Sequence, residues 1–140
     1  MQALRAQHHA PMSIPHKRQR VSGYRDLIVF QKAVSLVVAS YSVARSLPAD
    51  ERFELGKQLR RACTSIPLNI AEGSGRMSKP DYARFLAIAR GSLSEVEACC
   101  VLIEALDYAP AKRIDTAMSL ADEVGRMLTV MLRRQRNARA

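Results

Sequence analysis

Apolar residues recur at spacings of three and four in four separate stretches of this sequence, which is the period of one face of a helix. Short breaks at Pro48, at residues 73–80 and at residues 107–110 separate the stretches. Helices joined by such short connections lie antiparallel to their neighbours. The pattern therefore predicts an all-α fold, an antiparallel up-down-up-down four-helix bundle. The expected core positions are Leu27, Phe30, Val34, Val37, Tyr41 and Ala44 in the first helix, Leu55, Leu59, Ala62, Ile66 and Asn69 in the second, Tyr82, Leu86, Ala89, Leu93, Val96, Cys100 and Ile103 in the third, and Ile114, Ala117, Ala121, Val124, Leu128 and Met131 in the fourth.

Polar residues mark where two of these helices begin. Asp50 and Glu51 favour the positive end of the second helix, so we expect it to begin there. Ser78 has the character of an N-cap before Pro80 and Asp81, and it predicts the start of a third helix of about 28 residues. The third helix is the most strongly indicated of the four.

Residues 65–73 place a proline and an asparagine inside the second helical pattern. A proline there removes the hydrogen bond that the Cys63 carbonyl would accept, at a cost of about 3 kcal/mol. We expect Pro67 to kink the second helix and Gly73 to end it in a left-handed cap. An unpaired buried amide costs about 1–3 kcal/mol. Asn69 is therefore expected to have a fixed partner and to specify the packing.

The first and fourth helices carry more apolar residues than one core-facing stripe needs. Surplus apolar surface is typical of a subunit interface, so we expect a homo-oligomer, with a thicker monomeric core as the alternative. The surplus residues are Ile28, Val29, Leu36, Val38 and Val43 in the first helix and Met118, Leu120, Met127, Val130 and Leu132 in the fourth.

The net charge of +9 is concentrated at the two ends of the chain. Residues 1–25 carry five basic and no acidic side chains, residues 133–140 carry four basic ones, and residues 26–132 are neutral overall. Within that body, residues 52–90 have a net charge of +5 and residues 91–132 of −4. We expect a flexible basic N-terminal arm over 1–22, the bundle over 23–132 and a basic C-terminal tail over 133–140.

The sequence argues against an enzyme, a cofactor or a metal site. The three histidines all precede Gly23, so the expected bundle holds no histidine base, and the three cysteines are not in CxxC spacing. No apolar run approaches the length of a membrane span, and the N-terminus lacks the apolar segment of a signal peptide. We expect a cytoplasmic protein without membrane association.

Three ordered motifs carry a resemblance to a known family. They are the run from Tyr24 to Ala33, the run from Gln58 through Ser65-Ile66-Pro67-Leu68-Asn69-Ile70-Ala71-Glu72-Gly73, and the run from Phe85 to Glu95. The chain resembles the bacterial four-helix-bundle proteins called 23S ribosomal RNA intervening-sequence proteins over about residues 24–133. The resemblance implies a ring of five subunits, and kinship with the accessory variability proteins of diversity-generating retroelements, which bind a reverse transcriptase and nucleic acid.

Two functions follow as hypotheses. The first is a non-enzymatic homopentameric scaffold that binds RNA or DNA electrostatically, because a ring of five would carry roughly +45. Its candidate contact residues are Lys17, Arg18, Arg20, Arg60, Arg61, Arg76, Arg84, Arg133, Arg134 and Arg136, whereas Pro67, Asn69 and Gly73 are structural. The alternative is a protein-interaction module that docks a partner enzyme such as a reverse transcriptase, with no physiological nucleic-acid binding. Basic arms that only increase solubility are the simplest explanation of the charge.

Overall fold

The computed structural model describes residues 23–137, which form four α-helices and two short 3₁₀ turns. The helices are α1 Ile28–Arg45, α2 Leu55–Ser74, α3 Lys79–Ala105 and α4 Ala111–Asn137, and the 3₁₀ turns are Tyr24–Asp26 and Ala49–Glu51. Each helix packs against its neighbours in the chain, and α4 packs back against α1. This closed arrangement confirms the all-α four-helix bundle.

The helix boundaries differ from the expected ones at two places. Asp50 and Glu51 lie in the 3₁₀ turn, so α2 begins four residues beyond Glu51. α4 continues to Asn137, so residues 133–137 are helical and extend the bundle past the expected boundary at 132. The expected arm, residues 1–22, and residues 138–140 lie outside the described part of the chain.

The core stripe of α1 is rotated from the one that the periodicity predicted. Val29, Leu36 and Val43, which we expected on other sides of the helix, are buried, whereas Phe30, Val34, Val37 and Tyr41 lie half-buried beside them. Because α1 is apolar on most of its circumference, several stripes of equal quality can be drawn on it. The predicted stripes of α3 and α4 are correct, since only their terminal members, Tyr82 and Met131, are incompletely buried.

Within residues 23–137, α1 is the one helix long and apolar enough to cross a membrane by length and composition. In the bundle it packs against α2 and α4, and it contributes Val29, Ala33, Leu36 and Val43 to the core. Its apolar character is thus explained in part by burial within the bundle.

α2 runs without a break from Leu55 to Ser74, with Pro67 inside it and buried. Hydroxyls and amides just before and after the proline bond to backbone carbonyls of the preceding turn. Thr64 Oγ1 donates to the Arg60 carbonyl at 2.9 Å, and Asn69 Nδ2 donates to the Ser65 carbonyl at 2.7 Å. Because α2 continues for seven residues beyond Pro67, to Ser74, the proline does not end the helix.

Asn69 has the fixed partner that we expected, but it does not lie in the core seam, where the periodicity had placed it. It is half-buried beside the core seam, in which Ile70 takes the buried place. Its amide also donates to Ser65 Oγ at 2.9 Å, and Ser92 Oγ of α3 donates to the same oxygen at 2.8 Å. Asn69, Ser65 and Ser92 thus form a polar bridge between α2 and α3.

Gly73 is not a left-handed cap. No glycine among residues 23–137 has a positive φ, and Gly73 is buried within the last turn of α2. A β-carbon at this position would lie 2.8 Å from Phe85 Cβ and 3.1 Å from Tyr82 Cδ2. Gly73 therefore permits the close approach of α2 and α3.

Candidate nucleic-acid interface

Four segments of the chain meet at one pole of the bundle, which we call the termini pole. In an up-down-up-down bundle, the start of α1, the end of α2, the start of α3 and the end of α4 share one end. Cross-helix contacts fix their relative levels: Ser65 of α2 lies opposite Ser92 of α3, and Leu93 of α3 touches the position of Gly125 on α4. Arg84 lies nine residues before Leu93 on α3, and Arg134 lies nine residues after Gly125 on α4. Because these helices are antiparallel, the two arginines lie at about the same level along the bundle axis. The two ends of the described chain, residues 23 and 137, thus lie at the same pole.

The charge of the described chain is divided along the bundle axis. The half nearer the termini pole, residues 23–31, 66–91 and 126–137, carries nine basic and three acidic side chains. The other half, residues 32–65 and 92–125, carries eight basic and ten acidic ones. We call the first of these the basic half. Such a separation produces a positive potential at one end of the molecule.

Arg76 and Arg84 are brought together by the ring of Phe85. The Arg76 guanidinium lies 4.9 Å from the ring centroid and that of Arg84 lies 4.5 Å from it. Each arginine also pairs with a carboxylate three or four residues before it in the sequence. Arg76 Nη2 lies 2.6 Å from Glu72 Oε1, and Arg84 Nε lies 3.6 Å from Asp81 Oδ1. The two side chains are therefore oriented before any ligand binds, although nearby acids reduce the local net charge.

Arg133, Arg134 and Arg136 are exposed on the last turns of α4. Within residues 23–137 none of the three forms a salt bridge, in contrast to Arg126, which pairs with Asp122. Cations at this position interact favourably with the negative end of the helix dipole. These three arginines therefore supply charge to the basic half that no salt bridge within residues 23–137 compensates.

Arg60 and Arg61 do not belong to this cluster. They lie in the second turn of α2, in the other half of the bundle, where Arg60 Nη2 donates to the Arg52 carbonyl at 2.9 Å. Arg61 lines a groove of about 580 Å³ between α2 and α3, which also contains Glu54 and Glu95. The structure therefore separates these two candidates from the other described ones.

Three of the predicted contact residues lie outside the described part of the chain, and the sequence reading missed one basic residue of this surface. Lys17, Arg18 and Arg20 precede Gly23, where the described chain begins at the termini pole. Lys79, the first residue of α3, was not among the expected contacts, although it follows Arg76 by three residues and lines the same surface pocket. The short connection predicted between α2 and α3 already implied that Lys79 lies close to Arg76.

The titratable groups of the core do not form a reactive site. Burial raises the pKa of both the Cys63 and the Cys100 thiol to about 11, and the neighbouring Ser40 hydroxyl opposes the shift at Cys63. Both groups are therefore protonated at neutral pH and are poor nucleophiles. Burial also raises the pKa of Tyr82, so its phenol at the termini pole is uncharged at neutral pH.

Comparisons with known proteins agree with this fold. The family model described as 23S rRNA-intervening sequence protein matches residues 25–130. The structure is similar to the crystal structure of a protein with unknown function from the S23 ribosomal protein family of Bacteroides thetaiotaomicron VPI-5482, with a TM-score of 0.70, 24% sequence identity and coverage of 75% of this chain and 98% of that one. No curated protein matches the sequence. Since the family match extends over most of the bundle, the chain belongs to the 23S rRNA-intervening sequence protein family.

Proposed function

We propose that this chain is a non-enzymatic scaffold that binds RNA or DNA through the phosphate backbone, using the basic half of the bundle. The observation that carries the proposal is the meeting of Arg76, Arg84 and the α4 arginines at the pole where both ends of the described chain lie. Lysine and arginine side chains that neutralise phosphates release counterions, so they bind nucleic acid of any sequence. Contacts of this kind fix position and carry little sequence information.

Self-association would multiply this charge. Within residues 23–137, ten large apolar side chains are exposed in the single chain, and four of them, Ile88, Val101, Leu102 and Leu106, lie on or directly after α3. Exposed apolar surface favours a subunit contact, and the family resemblance implies five subunits in a ring. We therefore include a homo-oligomer, with five subunits, in the proposed function and assign its contact to the outer face of α3.

The test is a comparison of two triple variants of the full chain. The first replaces Arg133, Arg134 and Arg136 by Gln, and the control replaces Arg45, Arg52 and Lys112, which are exposed in the other half. Both variants lose three positive charges, so they differ only in where the charge is removed. Binding of a labelled oligonucleotide is measured by fluorescence anisotropy over a series of salt concentrations.

We expect the first variant to lose affinity at low salt and to reduce the slope of log K against log salt by about two, as removal of three phosphate contacts to a single strand requires. The control should keep the wild-type slope to within about one half. Equal losses in both variants would indicate that net charge alone matters and would refute the assigned surface. Absence of salt-dependent binding by the wild-type protein would refute the proposed function.

The groove between α2 and α3 supports a second candidate function, the docking of a partner enzyme. The Phe53 ring at its edge is 79% exposed, and acidic and basic side chains alternate around it. An exposed aromatic within mixed charge is typical of a protein-binding site. This function predicts that Phe53→Ser abolishes capture of a partner while leaving nucleic-acid binding by the termini pole unchanged.

A further inference from the structure

A pocket of about 490 Å³ opens at the termini pole, between the connection from α2 to α3 and the 3₁₀ turn that precedes α1. Gly73, Gly75, Tyr24 and Tyr82 are among the residues that line it. Arg76 and Lys79 stand at the same pocket. Its volume lies within the range of ordinary ligand sites.

Two of the residues that line this pocket, Gly73 and Gly75, carry no side chain. At Gly73 a β-carbon would collide with α3, as described above. Gly75 differs, because its φ of −85° suits any residue and a β-carbon there would meet only the Glu72 and Ala71 carbonyl oxygens, at 3.6 and 3.9 Å. A larger side chain can therefore be placed at residue 75 without backbone strain, and because residue 75 lines the pocket, it would reduce the space there.

The chemistry of the walls is that of a stacking site beside a phosphate site. The Tyr24 ring already has partners, since the Arg25 guanidinium lies 5.9 Å from its centroid and the Phe30 ring packs edge-to-face against it at 4.9 Å. Tyr82 is half-buried in the pocket wall, with an uncharged phenol that does not repel an anion. Aromatic faces bind bases of any sequence, and Arg and Lys beside them neutralise the linking phosphate.

We propose that this pocket receives one base of a single-stranded nucleic acid, stacked on Tyr82, while Arg76 and Lys79 hold the adjoining phosphate. This inference rests on the proposed function and adds to it a preference for unpaired strands. A base in a duplex is stacked and paired, so its π-face is not available to a side chain without unpairing.

The test measures binding of the full-length protein to two labelled single strands of about 12 nucleotides, one with bases and one abasic, at equal salt. The strands share the same number of phosphates, so electrostatic attraction is nearly the same for both. We expect the strand with bases to bind at least about fivefold more tightly, since stacking of one base contributes at least that factor. Gly75→Leu and Tyr82→Leu should each remove most of this difference while leaving the salt slope unchanged.

Phe53→Leu is the matched control, because it removes an exposed aromatic ring from the other half of the bundle. It should retain the full preference for the strand with bases. Circular dichroism melting identifies any variant that fails to fold, and Gly75→Leu, which lies at the end of α2, provides the readout if Tyr82→Leu unfolds. Equal binding of both strands by the wild type would overturn the stacking pocket and leave the phosphate-binding function standing. A preference abolished by Phe53→Leu would place stacking in the other groove and overturn this assignment.

Discussion

At the scale of single residues, contact distance and burial decide roles that sequence type leaves open. Gly73 is a glycine near the end of a helix, and a left-handed cap is the usual reason for one. Its place in the structure is a close crossing of α2 over Tyr82 and Phe85. Asn69 and Ile70 are adjacent, so the choice of which one faces the core depends on the helix rotation. The sequence identified Asn69 and Gly73 as structural, but the rotation of α2 that fixes their roles results from packing against α3.

Gly73→Ala should lower the free energy of unfolding by about 1–3 kcal/mol, because its β-carbon would overlap Phe85 Cβ, which belongs to a packed helix. Alanine favours a helix over glycine by about 1 kcal/mol, so the collision must outweigh that gain. Urea denaturation of both proteins measures the difference. Gly75→Ala is the control, and it should be neutral or slightly stabilising. A stabilised Gly73→Ala protein would show that α2 and α3 can separate without loss.

The buried thiols make stability depend on pH in the alkaline range. The pKa of Cys63 and of Cys100 is raised from 9.0 to about 11 in the folded chain, so the unfolded chain loses these protons first as pH rises. Their contribution is present below about pH 9 and is lost between about pH 9 and 11, at most about 3 kcal/mol for each thiol. We expect the unfolding free energy to fall over this interval. In Cys100→Ala the fall should be smaller by about 1–2 kcal/mol, and equal falls would contradict this origin.

At the scale of elements, α3 is followed by a residue with a left-handed backbone conformation. Asp107 has a φ of 57°, the one positive value among non-glycine residues of 23–137. Tyr108 N–H donates to the Ile103 carbonyl at 3.1 Å and Asp107 N–H to the Glu104 carbonyl at 3.0 Å, which is the Schellman pattern. The sequence predicted this break from Asp107 and Pro110 but not its conformation.

Asp107→Gly should raise the free energy of unfolding by about 1 kcal/mol. Glycine adopts the left-handed conformation without steric cost, and the change also removes a negative charge from the negative end of the helix dipole. Asp107→Ala serves as the control, since it removes the charge but keeps the β-carbon. Thermal and urea denaturation should show a higher stability for the Asp107→Gly protein than for the Asp107→Ala protein. The reverse order would mean that the backbone strain at residue 107 is negligible.

The helices also differ in how well their core faces could be predicted. On α3 and α4 the predicted stripes, Leu86 to Ile103 and Ile114 to Leu128, are buried, although α3 also carries the exposed Leu102 and α4 the exposed Val130. On α1 the apolar residues surround most of the helix, and the stripe that is buried is the one that packs against α2 and α4. Apolar periodicity alone therefore did not decide the core face of α1.

At the scale of the whole molecule, topology determines where the charge lies. Basic residues at positions 76–84 and 133–136 are far apart in sequence, and they share a pole because the number of helices is even. The sequence identified these side chains as candidates, and the antiparallel topology was predicted too. Their common level along the bundle depends on contacts such as Ser65 to Ser92, which no pattern in the sequence specifies.

The outer face of α3 should determine the oligomeric state. Val101 is 56% exposed in the single chain, so Val101→Asp should leave the folded monomer stable but place a charge in the proposed subunit contact. We expect the mass measured by light scattering to fall toward that of one chain. Val38→Asp on α1, at a site that is 52% exposed, is the control and should keep the wild-type mass. The opposite result would assign the contact to α1, as its surplus of apolar residues first indicated.

The even number of helices has a practical consequence for labelling. A fluorescent protein or affinity tag joined directly at residue 23 or at residue 137 would lie beside the basic half and shield it from polyanions. The turn at residues 107–110, between α3 and α4, lies at the opposite pole and is surrounded by exposed positions. A short peptide label inserted there would report on the protein in cells while leaving the basic half unobstructed.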